Sequence, residues 1–198
     1  MLVAAACGGG GSPTHVSARV YLLRGGKVAP VARTVSAIEP DDLLKALRAG
    51  PTSAERAAGL TSRFGLAQIV YTLSQQAPSR AVAYKGHSYT RADFEDETPI
   101  ILVENPLPFA HVRTPLRATG TANTFEATFD YDLLGANGRV LAHHFVTATS
   151  GTGQRGTFAF TARFTVPHAE QGRLVVYEES AKDGSRIHQS EIPLTLEP

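Results

Sequence analysis

The stretch TFEATFDYDLLGANGRVLAHHFVTAT, residues 124–149, decides how most of this chain folds. Over its first half, apolar side chains alternate with polar ones, at Phe125, Ala127, Phe129, Tyr131 and Leu133. This period of two predicts a strand with one buried and one solvated face. The residues Gly-Ala-Asn-Gly at 135–138 tolerate a positive φ and predict a turn into a returning strand. The stretch therefore predicts two long antiparallel strands.

Further β-rich runs surround this hairpin. They lie at 100–104, 112–119, 157–166, 174–178 and 187–196, with Gly, Pro and Asn between them. Pro115 indicates an edge position or a bulge in the second run, because proline cannot donate to a ladder. With the hairpin these runs make about seven strands, the number found in an immunoglobulin-like sandwich. The sequence thus predicts an all-β sandwich over residues 99–198.

The chain before Pro99 mixes helix and strand signals. Its predicted elements are strands at 16–23, 27–35 and 81–84, helices at 40–50 and 64–74, and a short helix opened by a capping box at Thr52. Pro40 suits the first helical position, and Leu66, Ile69, Val70 and Leu73 recur at the spacing of an amphipathic helix. We therefore predict an α+β domain here.

The acidic run at 95–97, followed by Pro99, is interpreted as a linker, with a solvated loop inside one domain as the alternative. The predicted division is a signal remnant and flexible tether over 1–13, an α+β domain over 14–95 and the sandwich over 99–198. A chain of 198 residues is long enough for two such cores.

The composition narrows the classes of partner. The formal net charge is only +1, and lysine and arginine do not cluster in any segment, which argues against nucleic acid. The absence of tryptophan weakens a sugar-binding interpretation. A single cysteine excludes an internal disulfide and a zinc site of several cysteines. We predict no cofactor and no metal.

The position of that cysteine is informative. Cys7 follows LVAAA and precedes GGGGSP, which resembles the end of a bacterial lipoprotein signal peptide and a flexible tether. The six residues before it form neither a basic region nor a full apolar segment, so the interpretation requires a start codon farther upstream. The alternative is an unmodified cysteine near the chain terminus. We predict lipidation at Cys7.

The sandwich half resembles the immunoglobulin-like domain of bacterial spore-germination proteins. The resemblance rests on Pro115-Leu116, Gly120-Thr121-Ala122, Phe125-Glu126-Ala127, Gly151-Thr152-Gly153 with Gly156-Thr157-Phe158, and the run EESAKDGS at 178–185. These motifs occur in order over almost the whole of residues 99–198. The resemblance implies an extracytoplasmic, non-enzymatic domain.

The first half resembles the GerMN domain of sporulation and germination proteins. The motifs are Tyr21-Leu22, Val31-Ala32-Arg33, Gly50-Pro51-Thr52, Gly59-Leu60-Thr61-Ser62 and the run QIVYTL at 68–73. The family places further strands between the Gly-Leu-Thr motif and the helix that carries QIVYTL, where this chain has only residues 63–65. The resemblance implies a truncated domain in a two-domain envelope lipoprotein.

Several motifs that suggest chemistry have a simpler explanation. GTGQRG at 151–156 matches the dinucleotide fingerprint G-x-G-x-x-G, but strands are predicted on both sides where that fingerprint needs a helix after it. Asp130 and Asp132 match part of a calcium loop, yet leucines occupy two later ligand positions. His143 and His144 are neighbours on a strand, so they point to opposite faces and do not chelate one metal.

Nucleophilic catalysis has little support, because Ser150 lacks a G-x-S-x-G elbow and Cys7 lies in a predicted tether. Arg33, Gln68 and Tyr71 are candidate residues of a partner groove in the first domain. The alternative for Tyr71 is a place in the core, since its helix must bury one face.

We therefore expect a non-catalytic lipoprotein on the outer side of the bacterial cell membrane, contacting an envelope protein or peptidoglycan in envelope, sporulation or germination assemblies. One alternative is a polysaccharide- or peptidoglycan-binding accessory module of an extracytoplasmic enzyme system. Another is a spacer formed by the sandwich, beside a remnant first domain. The sequence does not predict the oligomeric state.

Overall fold

The structure, a computed structural model, describes residues 15–50 and 63–198, and strands are the commonest secondary structure among them. Before Pro99 the elements are β1 Val16–Arg24, β2 Lys27–Val35, α1 Pro40–Arg48, α2 Arg63–Leu73, β3 Val82–Tyr84, β4 His87–Tyr89 and a 3₁₀ helix over Arg91–Glu97. We call these described residues the N-terminal part. Cys7 and the capping box at Thr52 lie outside the described residues.

After Pro99 the chain forms a sandwich of two sheets. Its strands are β5 Ile101–Asn105, β6 Ala110–Val112, β7 Leu116–Ala122, β8 Thr128–Leu134, β9 Val140–Thr147, β10 Gly156–Ala162, β11 Glu170–Glu179 and β12 Arg186–Leu196. One sheet has the order β10-β7-β5 and the other β6-β12-β11-β8-β9. The predicted strand at 112–119 is two strands, because Pro115 has no backbone N–H with which to continue a ladder.

Aromatic side chains from both sheets fill the sandwich core. The rings of Phe129 and Phe158 are 4.9 Å apart, edge to face, and Tyr131 stacks on Phe160 at 4.3 Å. Phe164 is buried beside them, whereas Phe160 is half-buried. The predicted core face is correct at these positions. Such contacts between two inner faces are what hold a sandwich together.

Phe125 was predicted to lie on the buried face of β8, and this prediction is wrong. Residues Phe125–Ala127 form a 3₁₀ turn with positive φ at Glu126, and the Phe125 side chain is 59% exposed. The carbonyl of Thr124 accepts hydrogen bonds from the N–H groups of Ala127 and Thr152, at 3.2 and 2.9 Å. A Cβ added to Gly151 would lie 2.4 Å from that carbonyl oxygen. The glycine loop therefore packs against this turn, and β8 begins only at Thr128.

Asp132 also departs from its predicted place on the solvated face. It is buried, because Arg186 Nη2 lies 2.7 Å from its Oδ2 and His143 Nδ1 lies 2.8 Å from its Oδ1. The Arg186 guanidinium in turn stacks 3.8 Å from the centre of the Tyr177 ring. Arg186 and His143 thus bury the Asp132 carboxylate, although the alternation of apolar and polar residues predicts that it is exposed.

Helix α2 is not amphipathic as predicted; it is buried around its whole circumference from Ala67 to Thr72. Side chains at its C-terminal end and just beyond it also cover the free edge of β1. Thr72 Oγ1 accepts the Tyr21 N–H at 3.0 Å, and Gln75 Oε1 accepts the Arg19 N–H at 2.9 Å. The helix end thus satisfies edge donors that a neighbouring strand would otherwise pair.

The acidic run at 95–97, interpreted from the sequence as a linker, is partly buried. It ends the 3₁₀ helix, where Glu97 is buried and ion-paired with Arg63, and Thr98 is buried after it. Arg63 also lies over the ring of Phe94, 5.3 Å from its centre. The division into domains at 14–95 and 99–198 stays a prediction, with a packed segment at the boundary.

Phe129→Ala should lower the free energy of unfolding by about 3–5 kcal/mol, since it removes a buried ring from the sandwich core. Phe125→Ala is the matched control, because the same side chain is deleted from an exposed turn, and its cost should stay below about 1 kcal/mol. Urea denaturation followed by far-ultraviolet dichroism measures both. Equal losses would contradict the assigned core.

Candidate functional site

The three residues predicted to line a partner groove do not meet on an open surface. Gln68 and Tyr71 are buried within α2, while Arg33 is half-exposed on β2 and donates to the carbonyl oxygen of Ala32 at 2.8 Å. Because α2 is covered all round, its face cannot line a groove in this structure. A partner contact at these residues stays a prediction.

The other motifs form local structure. GTGQRG at 151–156 lies between β9 and β10, with strands on both sides. His143 bonds to Asp132, and the neighbouring His144 accepts the Phe145 N–H at Nδ1, 2.8 Å away. Among the described residues, the His, Cys, Asp and Glu side chains form no group that could hold a metal ion. No helix in the described ranges is long and apolar enough to cross a membrane.

A buried charge cluster joins the N-terminal part to β5. Arg91 Nη1 donates to Glu104 Oε1 at 2.8 Å, and the Tyr21 hydroxyl donates to the same oxygen. Arg91 Nε donates to Ser74 Oγ at 2.8 Å, and its guanidinium lies 4.6 Å from the centre of the Tyr71 ring. Side chains from β1, α2, the 3₁₀ helix and β5 therefore meet around one ion pair.

Burial and charge together set the protonation of this cluster. Burial raises the pKa of Tyr21 far above its ordinary value, and the negative charge of Glu104 raises it further. Burial alone would lower the pKa of Arg91, but Tyr21 and Glu104 outweigh it, and the net shift is upward. Burial likewise raises the pKa of Tyr71. The hydroxyls thus stay neutral donors while the guanidinium keeps its charge.

The same contacts place the β1–β2 hairpin over one end of the sandwich and leave a cleft of about 400 Å³ between them. Pockets of this size at the junction of two packed units are common ligand sites. We call the apolar residues of its lining the floor and the polar ones the rim. The floor includes Ala29, Pro30, Pro99, Ile100, Ile101, Val103, Pro108 and Ile192, and the rim Arg24, Lys27, His188, Gln189, Ser190 and Glu191.

The two cations on the rim bind main-chain oxygens. Arg24 Nη2 donates to the Glu191 carbonyl at 2.6 Å, and Lys27 Nζ to the Asp96 carbonyl at 2.5 Å. Burial lowers the pKa of Arg24, opposed by the charge of Glu191. The Glu191 carboxylate pairs with Arg173 at 3.4 Å. The rim can therefore offer positive charge to a bound anion.

Sequence reasoning did not single out any of these cleft residues. The usable signal was local: Gly25-Gly26 predicts a tight turn, and a cation flanks it on each side in Arg24 and Lys27. That signal places two charges at the tip of a hairpin, but it does not say which surface the tip meets.

Double-mutant cycles should separate the buried pair from an exposed one. Glu104→Ala alone should lower the free energy of unfolding by about 3–5 kcal/mol, because it leaves Arg91 buried without its counter-charge. Adding Arg91→Leu should recover part of that loss. The control cycle at Arg173 and Glu191, which are both substantially exposed, should give a coupling of at most about 1 kcal/mol. Equal couplings in the two cycles would contradict a buried charge cluster.

Comparison with known proteins bears on the sandwich alone. No curated protein matches the chain. A solved structure, CopC from Methylosinus trichosporium OB3b, is similar at 13% identity and a TM-score of 0.30, over 50% of this chain and 94% of that one. That score is too low to bear on fold or function. The resemblance of the N-terminal part to GerMN stays a prediction. Residues 100–185 match the family model of the immunoglobulin-like domain of bacterial spore germination.

Proposed function

We propose that this protein is a non-catalytic binding or scaffold component of the bacterial cell envelope, working in envelope, sporulation or germination assemblies. The observation that carries the proposal is the family match over residues 100–185, which associates the sandwich with spore germination. The cleft supports a binding role, because it combines an apolar floor with a cationic rim.

The geometry of the cleft favours binding over catalysis. His188 is the rim residue best suited to general base chemistry, and its Nδ1 is held by Glu178 Oε2 at 2.9 Å. A nucleophile would have to bond to the other ring nitrogen. Within the described residues no hydroxyl or thiol does so, although Ser190 lines the same cleft.

A protein partner fits this cleft better than a polysaccharide. Sugar rings are usually held against flat aromatic faces, and the described lining residues include no Phe or Tyr. The exposed phenylalanines, Phe109, Phe125 and Phe145, are not among the residues that line the cleft. We therefore favour an envelope protein as the partner over peptidoglycan, and over the role of polysaccharide-binding accessory module.

The proposed location is the outer side of the bacterial membrane, with Cys7 lipidated and the glycines after it acting as a spacer. Stable membrane attachment commonly needs more than one lipid chain. The proposal therefore includes full lipoprotein processing at Cys7.

Cys7→Ser, expressed with a complete upstream signal, should move the protein from the membrane fraction to the soluble fraction. The control is Ser12→Ala, which leaves the cysteine in place and should not change the distribution. Fractionation with mass spectrometry of the N-terminal peptide checks both. Retention of Cys7→Ser in the membrane fraction, or an unmodified cysteine in the wild type, would refute the anchor.

Cross-linking in the native host tests the binding role itself. A photo-cross-linker placed at Gln189, on the cleft rim, should capture an envelope protein. The same group at Lys182, in an exposed turn before β12, is the control and should capture less. Identical capture from both sites, or capture of cytoplasmic proteins alone, would argue against the proposal.

A further inference from the structure

We propose that a second cavity, where β1 meets the end of β5, binds a small zwitterion: an α-amino acid with an apolar side chain. This cavity shares no lining residue with the cleft described above. Its volume of about 330 Å³ is at the small end of the range for ligand pockets. The inference follows from a buried carboxylate with one open oxygen and from a guanidinium that lines the same cavity.

A β-bulge places the carboxylate of Glu104 at this junction. Val103 pairs with Gly120 and Asn105 pairs with Thr119, so Glu104 is the extra residue between them. Bulges bend a strand and re-aim a side chain, and they are common next to functional sites. The Glu104 side chain is only 10% exposed and lines the cavity.

Glu104 uses only one of its two oxygens in the buried charge cluster. Arg91 Nη1 and the Tyr21 hydroxyl both donate to Oε1. Within the described residues no group donates to Oε2, and Oε2 is not among the unpartnered side-chain atoms that are sealed from solvent. Because Glu104 lines the cavity, Oε2 is the oxygen that a ligand can reach. A charged donor such as an ammonium group would replace the water that burial has removed.

The second charged group that lines the cavity is Arg19. It lies on the same face of β1 as Tyr21, two residues away. Burial raises the pKa of Tyr21, and the positive charge of Arg19 opposes that rise, so the guanidinium acts on the same cluster as Glu104. Its described side-chain contact uses Nη2, which donates to the Gln75 carbonyl at 2.9 Å. A guanidinium has five N–H donors, so Arg19 can also bind a carboxylate.

These two groups together select a zwitterion. Arg91 already balances the charge of Glu104, so a lone ammonium group would meet two guanidinium groups. A lone carboxylate would meet the open oxygen of Glu104. A ligand with both groups places its ammonium on Glu104 Oε2 and its carboxylate on Arg19. The apolar part of the lining, which suits an apolar ligand side chain, comes from Ala18, Ile38 and Leu107.

Isothermal titration calorimetry of the full chain with L-leucine tests the site. Two further probes each lack one charged group: 4-methylpentanoate has no ammonium group, and 3-methylbutylamine has no carboxylate. L-Leucine should bind saturably and at least about tenfold more tightly than either probe, because each probe leaves one buried group without its partner. Absence of L-leucine binding, or equal binding of all three molecules, would overturn the proposal.

A variant pair tests the carboxylate partner. Arg19→Met removes the guanidinium and should weaken L-leucine binding at least about tenfold, to the level of 3-methylbutylamine. Arg163→Met is the matched control, because Arg163 is an exposed cation just after β10 and does not line the cavity. It should leave binding within about twofold. Equal effects of the two substitutions would overturn the site.

Glu104→Gln tests the ammonium partner. The amide oxygen can still accept from Arg91, but the negative charge is lost, so 4-methylpentanoate should now bind at least as tightly as L-leucine. Circular dichroism shows whether the variant is folded, and an unchanged preference in the folded variant would overturn the proposal. If it does not fold, the three probes with the wild-type protein decide.

Amide chemical shifts in nuclear magnetic resonance spectra separate this cavity from the cleft. L-Leucine should shift the amide signals of Ser17 and Asn105, which line the cavity, and leave those of Gly25 and Lys27 at the cleft unchanged. Shifts confined to the cleft would overturn the proposal. The result is independent of the proposed function, since the cross-linking test concerns a protein partner at the cleft.

Discussion

The ion pair between Arg91 and Glu104 is the contact on which the arrangement of the chain depends. Removing two charges from water is costly, so the pair is stable only where hydrogen bonds and aromatic faces surround it. Tyr21, Tyr71 and Ser74 provide those partners from three other positions in the chain. The requirement to complete this shell fixes β1, α2 and the 3₁₀ helix against β5. Neighbouring Leu102 then packs into the apolar cluster of the N-terminal part, so β5 serves both cores.

A second constraint is that the edges of the sheets must be covered. An unpaired edge exposes backbone donors and acceptors with which another chain can pair. The β1 edge is covered by Thr72 and Gln75 from the helical side. The β2 edge has Pro30, and the β12 edge has the guanidinium of Arg24 at Glu191. The edges of β1, β2 and β12 are thus each blocked in a different way.

The sequence predicted what depends on local periodicity and missed what depends on distant partners. Phe129 is in the core as predicted, and α2 lies within a residue of its expected bounds. Phe125 was assigned to the same face, but the loop at Gly151 takes the carbonyl of Thr124 and turns the chain there. Asp132 fits the alternation of a solvated face, yet Arg186, from a distant part of the chain, covers it. No window of sequence around either residue contains that information.

The residues of the cleft were even harder to predict from the sequence, because none of them belongs to a recognisable motif. Arg24 and Lys27 flank a common hairpin turn, and Ile101 and Val103 belong to an ordinary buried strand. Their significance arises from the orientation of the hairpin, and that orientation is set by the charge cluster on the adjoining residues of β1 and β5. A change at Glu104 should therefore reach the cleft through the backbone of β5, even though the Glu104 side chain is directed to Arg91 and Tyr21. The buried charge cluster and the shape of the cleft consequently depend on the same strand.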